Sequence, residues 1–268
     1  MERFVSLLGM VAMLGLAYTL SYDRRRFPWR VVLWGTGLQL SFALLILWSP
    51  PGRAVFHWLG EQVTTFLGFT RHGTEFLFGN LVKEEYEGTF GFQFALAILP
   101  TIIFFSSVMS VLYHLGVMQK VVQGTALVMA RTMGTSGAES LSCSANIFVG
   151  QTEAPLVIRP FVARATRSEL MAIMCGGFAT VAGGVLAGYV QMGVSASHLL
   201  AASVMSAPAA LVVAKIILPE TQQPATLGEV QVSEERVAAN VIEAAAEGAA
   251  DGLKLALNVG AMLLAFIA

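Results

Sequence analysis

The sequence predicts an all-α polytopic membrane protein in which transmembrane helices accompany a re-entrant helical hairpin and a broken helix. Composition is the first reason: 56% of the residues are hydrophobic and 12% are charged, whereas soluble domains carry about 25% charged residues. Long apolar runs are the second reason. The third is that a cluster of polar residues and a cluster of glycines each interrupt apolar sequence. The net charge of −1 provides no basic surface, so a nucleic-acid partner is not expected.

Apolar runs predict the membrane helices and their orientation. Five runs have about the length needed to cross a hydrocarbon core of about 30 Å, and a sixth starts near Leu253 and is still apolar at Ala268. Because the sequence stops inside that run, we expect a C-terminal part to follow. Four arginines after the first run predict a cytoplasmic loop and an external N-terminus. The five runs are Phe4–Leu20, Val31–Trp48, about Phe92–Tyr113, Leu170–Val190 and Leu199–Leu218.

The segment Met133–Ile158 does not fit the alternation of cytoplasmic and external loops that successive spanning helices produce. Arg131 precedes it, and Arg159 is the first of three arginines that follow it. Both flanks are therefore predicted to be cytoplasmic. A segment that enters and leaves on one side is a re-entrant hairpin, predicted at about 133–163 with its tip near 148–153.

Glycines interrupt the next predicted helix, which spans about 168–190. The stretch Gly176–Gly184 holds four glycines in nine residues, and each weakens a helix by about 1 kcal/mol relative to alanine. Two interpretations stay open for the glycines alone. They either allow close packing between helices or mark a broken helix.

Two groups of polar residues lie at or near the predicted hairpin tip and the glycine-rich segment. Asn146 and Thr180 add side-chain oxygens to exposed helix ends, a combination that suits a small hard cation. Gln151, Thr152 and Glu153 join an amide, a hydroxyl and a carboxylate, which can bind a polyhydroxyl or heterocyclic solute. An intramembrane carboxylate marks a pathway or a site by default, although these three residues can also simply cap the hairpin tip.

The sequence gives weaker support to other kinds of functional site. Gly134–Ser140 is rich in glycine and serine but has no following lysine, so it is not a phosphate-binding loop. Glu139 within it is either functional or caps and pairs locally. No nucleophile has a partnered histidine nearby, so an enzyme is not supported, and a channel would need a continuous polar lining.

Two long motifs resemble one known family. GTSGAESLSCSANIFVGQTEAPLVIRP resembles the first re-entrant hairpin of the concentrative nucleoside transporters, and GGFATVAGGVLAGYV resembles their broken fourth helix. The resemblance covers essentially the whole chain. It implies an elevator-type homotrimer with inverted repeats, the second incomplete here, that couples cation flow to uptake of nucleosides such as uridine. Members of the family continue with a second half that supplies the ribose-binding residues.

The resemblance also implies roles for single residues. Sodium is the favoured coupling ion, and protons are the alternative, with Glu153 or Glu139 as the carrier. The nucleobase would contact the hairpin tip and an apolar wall after the break, at Gln151, Thr152, Glu153 and Val185. The sodium ion would contact side-chain or backbone oxygens of Asn146, Val149, Thr180 and Val181.

The predicted organisation has three segments. Residues 1–115 form scaffold helices with an interfacial helix. Residues 116–219 form half of a transport domain, which contains the hairpin, the broken helix and a helix at about 197–218. Residues 220–268 form a linker, an interfacial segment and the start of a scaffold helix.

Overall fold

The computed structural model describes residues 2–151, 154–230 and 238–268, and within these ranges the regular structure is helical. Short 3-10 turns occur at Gly79–Leu81, Glu84–Tyr86 and Ala154–Ile158. The α-helices are α1 (Glu2–Thr19), α2 (Trp29–Leu47), α3 (Pro50–Phe78), α4 (Glu87–Phe90), α5 (Phe94–Ala97), α6 (Leu99–His114), α7 (Val117–Met133), α8 (Gly137–Ala145), α9 (Arg159–Val162), α10 (Arg167–Ala179), α11 (Gly183–Gln191), α12 (Ala196–Ile217) and α13 (Val241–Ile267).

Helical segments long and apolar enough to cross a membrane lie close to the predicted runs, so the all-α membrane class is confirmed. α1 carries a shorter apolar stretch, Leu8–Thr19. α13 is one helix that covers both the segment predicted to lie along the interface and the last apolar run. The segments found among the described residues are Trp29–Ile46, Phe94–His114, Arg167–Gln191, Ala196–Ile217 and Val241–Ile267.

The chain forms two compact units. The first comprises the described residues within 1–45, 121–181 and 203–233, and the second those within 46–120, 182–202 and 234–268. The first unit thus joins α1 and most of α2 to the hairpin. The three segments inferred from the sequence follow other boundaries and stay a prediction.

The core of the first unit is apolar and contains small residues. Met133 of α7, Cys143 of α8 and Leu211 of α12 are at most 1% exposed within one cluster. The N–H of Tyr22 donates to the carbonyl of Ile217 over 2.8 Å, which ties the turn after α1 to the end of α12. This core includes Cys143 of α8 and Ile147 just after it, and therefore helps to position the hairpin.

The second unit is built on close contact between α6 and α13. Gly248 and Gly252 of α13 face α6 at Ser106 and Ile103. The hydroxyl of Ser107 donates to the carbonyl of Ala245 over 2.8 Å. Small residues let two helix backbones approach closely in a membrane, where packing rather than hydrophobicity drives helix association.

Candidate functional site

The first arm of the predicted hairpin is α8, a short helix held inside the protein. Ser136 caps it, because the N–H of Glu139 donates to the Ser136 hydroxyl and the N–H of Ser136 donates to the Glu139 carboxylate over 2.8 Å. All nine residues of α8 are buried. Nine residues rise only about 14 Å, so α8 is too short to span a bilayer.

The chain turns back after α8. α8 packs against the 3-10 turn Ala154–Ile158, and the N–H of Ala154 donates to the carbonyl of Gly150 over 3.0 Å. Thr152 and Glu153 lie outside the described residues. The described part thus forms a helical hairpin, and its entry from one side of a membrane stays a prediction.

A glycine pair on α10 accommodates this hairpin. A Cβ atom at Gly176 would lie 2.8 Å from Cys143 Sγ and 3.4 Å from Asn146 Nδ2. At Gly177 a Cβ atom would lie 2.9 Å from Gln151 Cβ. The two glycines therefore allow the end of α8 and the hairpin tip to lie directly against α10.

Asn146 ends α8 with an unsatisfied oxygen. Its side chain is 0% exposed, and its Nδ2 donates to the carbonyl of Ser142 over 3.0 Å. Its Oδ1 has no hydrogen-bond partner among the described residues, and the same is true of the buried hydroxyls of Ser142 and Ser144. A buried unsatisfied polar atom costs about 1–3 kcal/mol. An acceptor at the C-terminal end of a helix, where the helix dipole is negative, suits a cation.

The break in the fourth predicted membrane helix is confirmed. α10 ends at Ala179, Thr180 is extended with φ −113° and ψ 154°, and α11 begins at Gly183. The Thr180 hydroxyl donates to the carbonyl of Gly176 over 2.9 Å. Since Gly176 also lies against Asn146, the structure brings Asn146 and Thr180 to the same turn of α10.

The other predicted site residues occupy varied positions. Val149 is buried and its N–H donates to the carbonyl of Ala145 over 3.0 Å, whereas Val181 is 38% exposed just after α10. Gln151 is exposed at the hairpin tip, and Val185 is half-buried on α11 in the second unit. The roles assigned to these residues stay predictions.

A buried ion pair at the base of the hairpin escaped the sequence analysis. Lys215 Nζ lies 2.6 Å from Glu139 Oε2 and donates to the Ser168 hydroxyl over 2.8 Å. Burial raises the pKa of the Glu139 carboxyl, and the Lys215 ammonium acts in the opposite direction. Glu139 therefore both caps α8 and pairs with Lys215, which favours its local, structural interpretation.

Glu169 repeats the same capping arrangement on α10. It accepts from the N–H of Thr166 over 2.7 Å, and it also accepts from the Ser136 hydroxyl over 2.6 Å. Two signals in the sequence could have pointed to this network. They are the paired capping motifs at Ser136–Glu139 and Thr166–Glu169, and the single charge of Lys215 near the end of an apolar run.

The segment predicted as a linker also contributes to the base of α8. The N–H of Gly137 donates to the carbonyl of Thr226 over 2.9 Å, and the N–H of Ala138 donates to the Thr226 hydroxyl over 3.0 Å. The first N–H groups of a helix have no partner within the helix. Thr226 supplies two of these partners and so holds the segment against α8.

The Gly176→Ala substitution is expected to destabilise the protein by about 1–3 kcal/mol. The new methyl group would overlap Cys143 Sγ and crowd Asn146, so α8 would have to move away from α10. The melting temperature of the purified protein in detergent measures the loss. Gly124→Ala on α7 is the matched control, since nothing lies within 4 Å of its added Cβ and alanine favours the helix by about 1 kcal/mol. Equal melting temperatures for the two variants would contradict the proposed contact.

Three family models match successive parts of the chain. They are described as "Na+ dependent nucleoside transporter N-terminus" over residues 8–81, "Nucleoside recognition" over residues 95–196, and "Na+ dependent nucleoside transporter C-terminus" over residues 198–268. The chain belongs to the family of sodium-dependent nucleoside transporters. The predicted family is confirmed, and the family consists of cotransporters rather than enzymes.

Relatives from animals and bacteria match the chain along its whole length. Solute carrier family 28 member 3 from Rattus norvegicus is 47% identical over 268 residues, which is 37% of that protein. Sodium/nucleoside cotransporter 1 from Mus musculus is 45% identical over 269 residues, which is 40% of that protein. An uncharacterized transporter from Haemophilus influenzae is 45% identical over 267 residues and is covered to 63%. The chain thus spans less than two thirds of each of these relatives.

Solved structures of a family member share this fold. CNTnw in an inward-facing substrate-bound state superposes with a TM-score of 0.94 at 46% identity, covering 100% of this chain and 65% of CNTnw. A doubly substituted CNTnw in an outward-facing state superposes with a TM-score of 0.92 at 47% identity, covering 98% of this chain and 63% of the other. The helical fold of this chain is therefore that of the sodium-dependent nucleoside transporters.

Proposed function

We propose that this chain is part of a secondary transporter that couples sodium entry to nucleoside uptake. The observation that carries the proposal is the buried, unpaired Oδ1 of Asn146 at the end of α8, on the same turn of α10 as the break at Thr180. The family supports both parts of it, because its models name sodium and nucleosides. The relative from Mus musculus is likewise a sodium/nucleoside cotransporter.

The sodium ion is proposed to bind at the end of α8. Asn146 Oδ1 and the Thr180 hydroxyl would contribute side-chain oxygens, and Val149, Thr180 and Val181 would contribute backbone carbonyls. Hard oxygen ligands suit this ion, and carbonyls at broken helices coordinate coupling ions in transporters. A bound cation would also satisfy the amide oxygen that is otherwise buried without a partner.

The nucleoside is proposed to bind at the hairpin tip. The amide of Gln151, the hydroxyl of Thr152 and the carboxylate of Glu153 are proposed to hydrogen-bond a nucleobase such as that of uridine. Gln151 lies against Gly177, one turn before the break, which is the observation that supports this assignment. Val185 on α11 is proposed as an apolar contact for the base.

Sodium binding is proposed to order the hairpin tip and thereby raise affinity for the solute. Coupling between two ligands is reciprocal, so the nucleoside must raise sodium affinity by the same factor. One charge crossing about 100 mV contributes about 2.3 kcal/mol. That energy corresponds to roughly 50-fold accumulation of a neutral solute for each ion.

An elevator-type movement within a homotrimer of the bacterial inner membrane is proposed for the whole transporter, with the N-terminus outside. The solved structures of CNTnw include inward-facing, outward-facing and intermediate states, as expected for alternating access. The basic loop after α1 supports the orientation.

Proton coupling is the alternative, with Glu153 or Glu139 as the proposed carrier. Protonation of Glu139 would break a 2.6 Å ion pair with Lys215, so Glu139 serves poorly as a carrier. An uptake assay that replaces sodium with an inert cation at two pH values distinguishes the two ions. Uptake that follows pH and ignores sodium would refute sodium coupling.

Asn146→Ala tests the sodium site in a transporter that contains this chain. Loss of an interaction with a charged ligand is worth about 1.5–3 kcal/mol, so the sodium concentration for half-maximal uridine binding should rise about 10- to 100-fold. Isothermal titration or scintillation proximity binding across a sodium series measures it. Asn258→Ala is the control, because Asn258 is exposed on α13. An unchanged sodium dependence in Asn146→Ala would show that the ion binds elsewhere.

A further inference from the structure

A polar cavity lies within the second unit, and none of the residues assigned to transport is among its lining residues. Its volume is about 200 Å³, and its walls come from α3, the segment 81–93, the start of α6 and the end of α11. Its polar lining includes Thr70, Arg71, Lys83, Thr101 and Gln191. Gln191 Nε2 donates to the carbonyl of Leu67 over 3.2 Å, which joins the end of α11 to α3.

Two buried hydroxyls in this cavity have no partner among the described residues. Thr101 is 0% exposed and Thr70 is 7% exposed, and neither Oγ1 atom makes a hydrogen bond. Helical threonines elsewhere in the chain donate their hydroxyl hydrogen to a backbone carbonyl of their own helix. Thr64 and Thr132, for example, donate to the carbonyl four residues earlier. Two hydroxyl donors that line one cavity without such bonds indicate a ligand that accepts hydrogen bonds.

The charge of the lining selects the kind of acceptor. Lys83 is half-buried at the cavity wall. Arg71 lines the same wall, but its Nε donates to Glu75 over 2.7 Å, so that carboxylate balances its charge. The ammonium of Lys83 and the two hydroxyl donors together match the oxygens of a phosphate. The acceptor is thus expected to be anionic rather than a neutral sugar.

The position of the cavity identifies the source of that phosphate. One candidate membrane span begins at Phe94 and another ends at Gln191, and both of these ends lie at the cavity or within one residue of its lining. The cavity therefore lies at the depth where a membrane helix meets the interface, which is the depth of phospholipid headgroups. Basic pockets between membrane helices bind such headgroups.

We propose that this cavity binds the phosphate of a phospholipid headgroup through Lys83, Thr70 and Thr101. The full chain, purified in detergent and stripped of lipid, provides the test. Phosphatidylglycerol should raise its melting temperature and remain bound in native mass spectrometry. Two further probes separate the chemistry: glucosyldiacylglycerol has the same tails without phosphate, and inorganic phosphate has no tails.

Variants connect the lipid to the cavity. Thr101→Val keeps the shape and removes one hydroxyl, and Lys83→Gln removes one charge. Each should reduce phosphatidylglycerol retention about fivefold. Thr101→Val should not lower the melting temperature without lipid, because it deletes an unsatisfied buried hydroxyl. Thr64→Val on α3 is the matched control and should retain lipid normally.

Three results would overturn the proposal. Equal stabilisation by glucosyldiacylglycerol would show that the tails alone bind. Equal stabilisation by inorganic phosphate would assign the cavity to a free anion. Normal retention by both Lys83→Gln and Thr101→Val would place the lipid elsewhere on the protein. None of these measurements depends on sodium coupling or on transport.

Discussion

The Lys215→Met substitution is expected to cost about 3–5 kcal/mol of the free energy of unfolding. The Lys215 side chain is 5% exposed and the Glu139 side chain is 1% exposed, with 2.6 Å between Nζ and Oε2. Removing the ammonium leaves a buried carboxylate without its counter-charge. The carboxylate retains its hydrogen bond from the Ser136 N–H, but one neutral donor does not replace a cation at this depth.

Thermal unfolding of the purified protein in detergent measures this loss, and two further variants calibrate it. Lys254→Met removes a cation from the pair with Asp251, which is 2.8 Å long but has both side chains at least 69% exposed. It should leave the melting temperature nearly unchanged, because water and salt screen an exposed ion pair. The double variant Lys215→Met with Glu139→Gln removes both buried charges, so it should recover much of the loss. If Lys215→Met melts like Lys254→Met, the buried pair does not stabilise the fold.

The Gly248→Ala substitution is expected to force α6 and α13 apart, at a net cost of about 1–3 kcal/mol. The added Cβ would lie 2.5 Å from Ser110 Cβ, 2.7 Å from the Ser106 carbonyl oxygen and 2.9 Å from Ser107 Cα. These atoms belong to the helix backbone or to the Cβ of a short side chain, so they cannot move without moving α6. The clash therefore outweighs the gain of about 1 kcal/mol that alanine brings to a helix.

Gly260→Ala on the same helix is the matched control for this contact. Its added Cβ would lie 3.2 Å from Leu99 Cδ1, the flexible end of a side chain that can shift slightly. The control should therefore leave the melting temperature unchanged or raise it. A melting temperature for Gly248→Ala at or above that of the unsubstituted protein would show that α6 and α13 do not pack as closely as described.

Much of the membrane architecture could be predicted from local sequence alone. Long apolar runs lack the charges that a helix in water carries, so their number and approximate ends are visible without tertiary contacts. The break near Thr180 was one of two open interpretations of the glycines. It became definite only with the extended backbone of Thr180. Glycine composition alone cannot decide this, because the same residues serve close packing and helix breaks.

The residue types of the candidate site could be predicted from the sequence, but the contacts between those residues could not. An asparagine and a threonine at helix breaks can supply oxygen ligands in any surroundings, so the sequence alone predicts Asn146 and Thr180 as candidate ion ligands. It does not predict their shared neighbour Gly176, because that contact depends on how α8 lies on α10. Thr226 looked like part of a polar linker for the same reason, since only the fold places it at the start of α8.

By itself, the sequence determined that this protein is a helical membrane protein of the sodium-dependent nucleoside transporter family, with a polar hairpin followed by a glycine-rich membrane helix. These features follow from local composition and motif order, which act over a few helical turns. Only the tertiary structure decided that Lys215 pairs with Glu139 and that Thr70 and Thr101 line one cavity. It also decided that the glycine pair on α10 lets the hairpin pack against that helix. Those contacts join residues far apart in the chain, and packing alone determines whether their polar atoms meet a partner or remain buried without one.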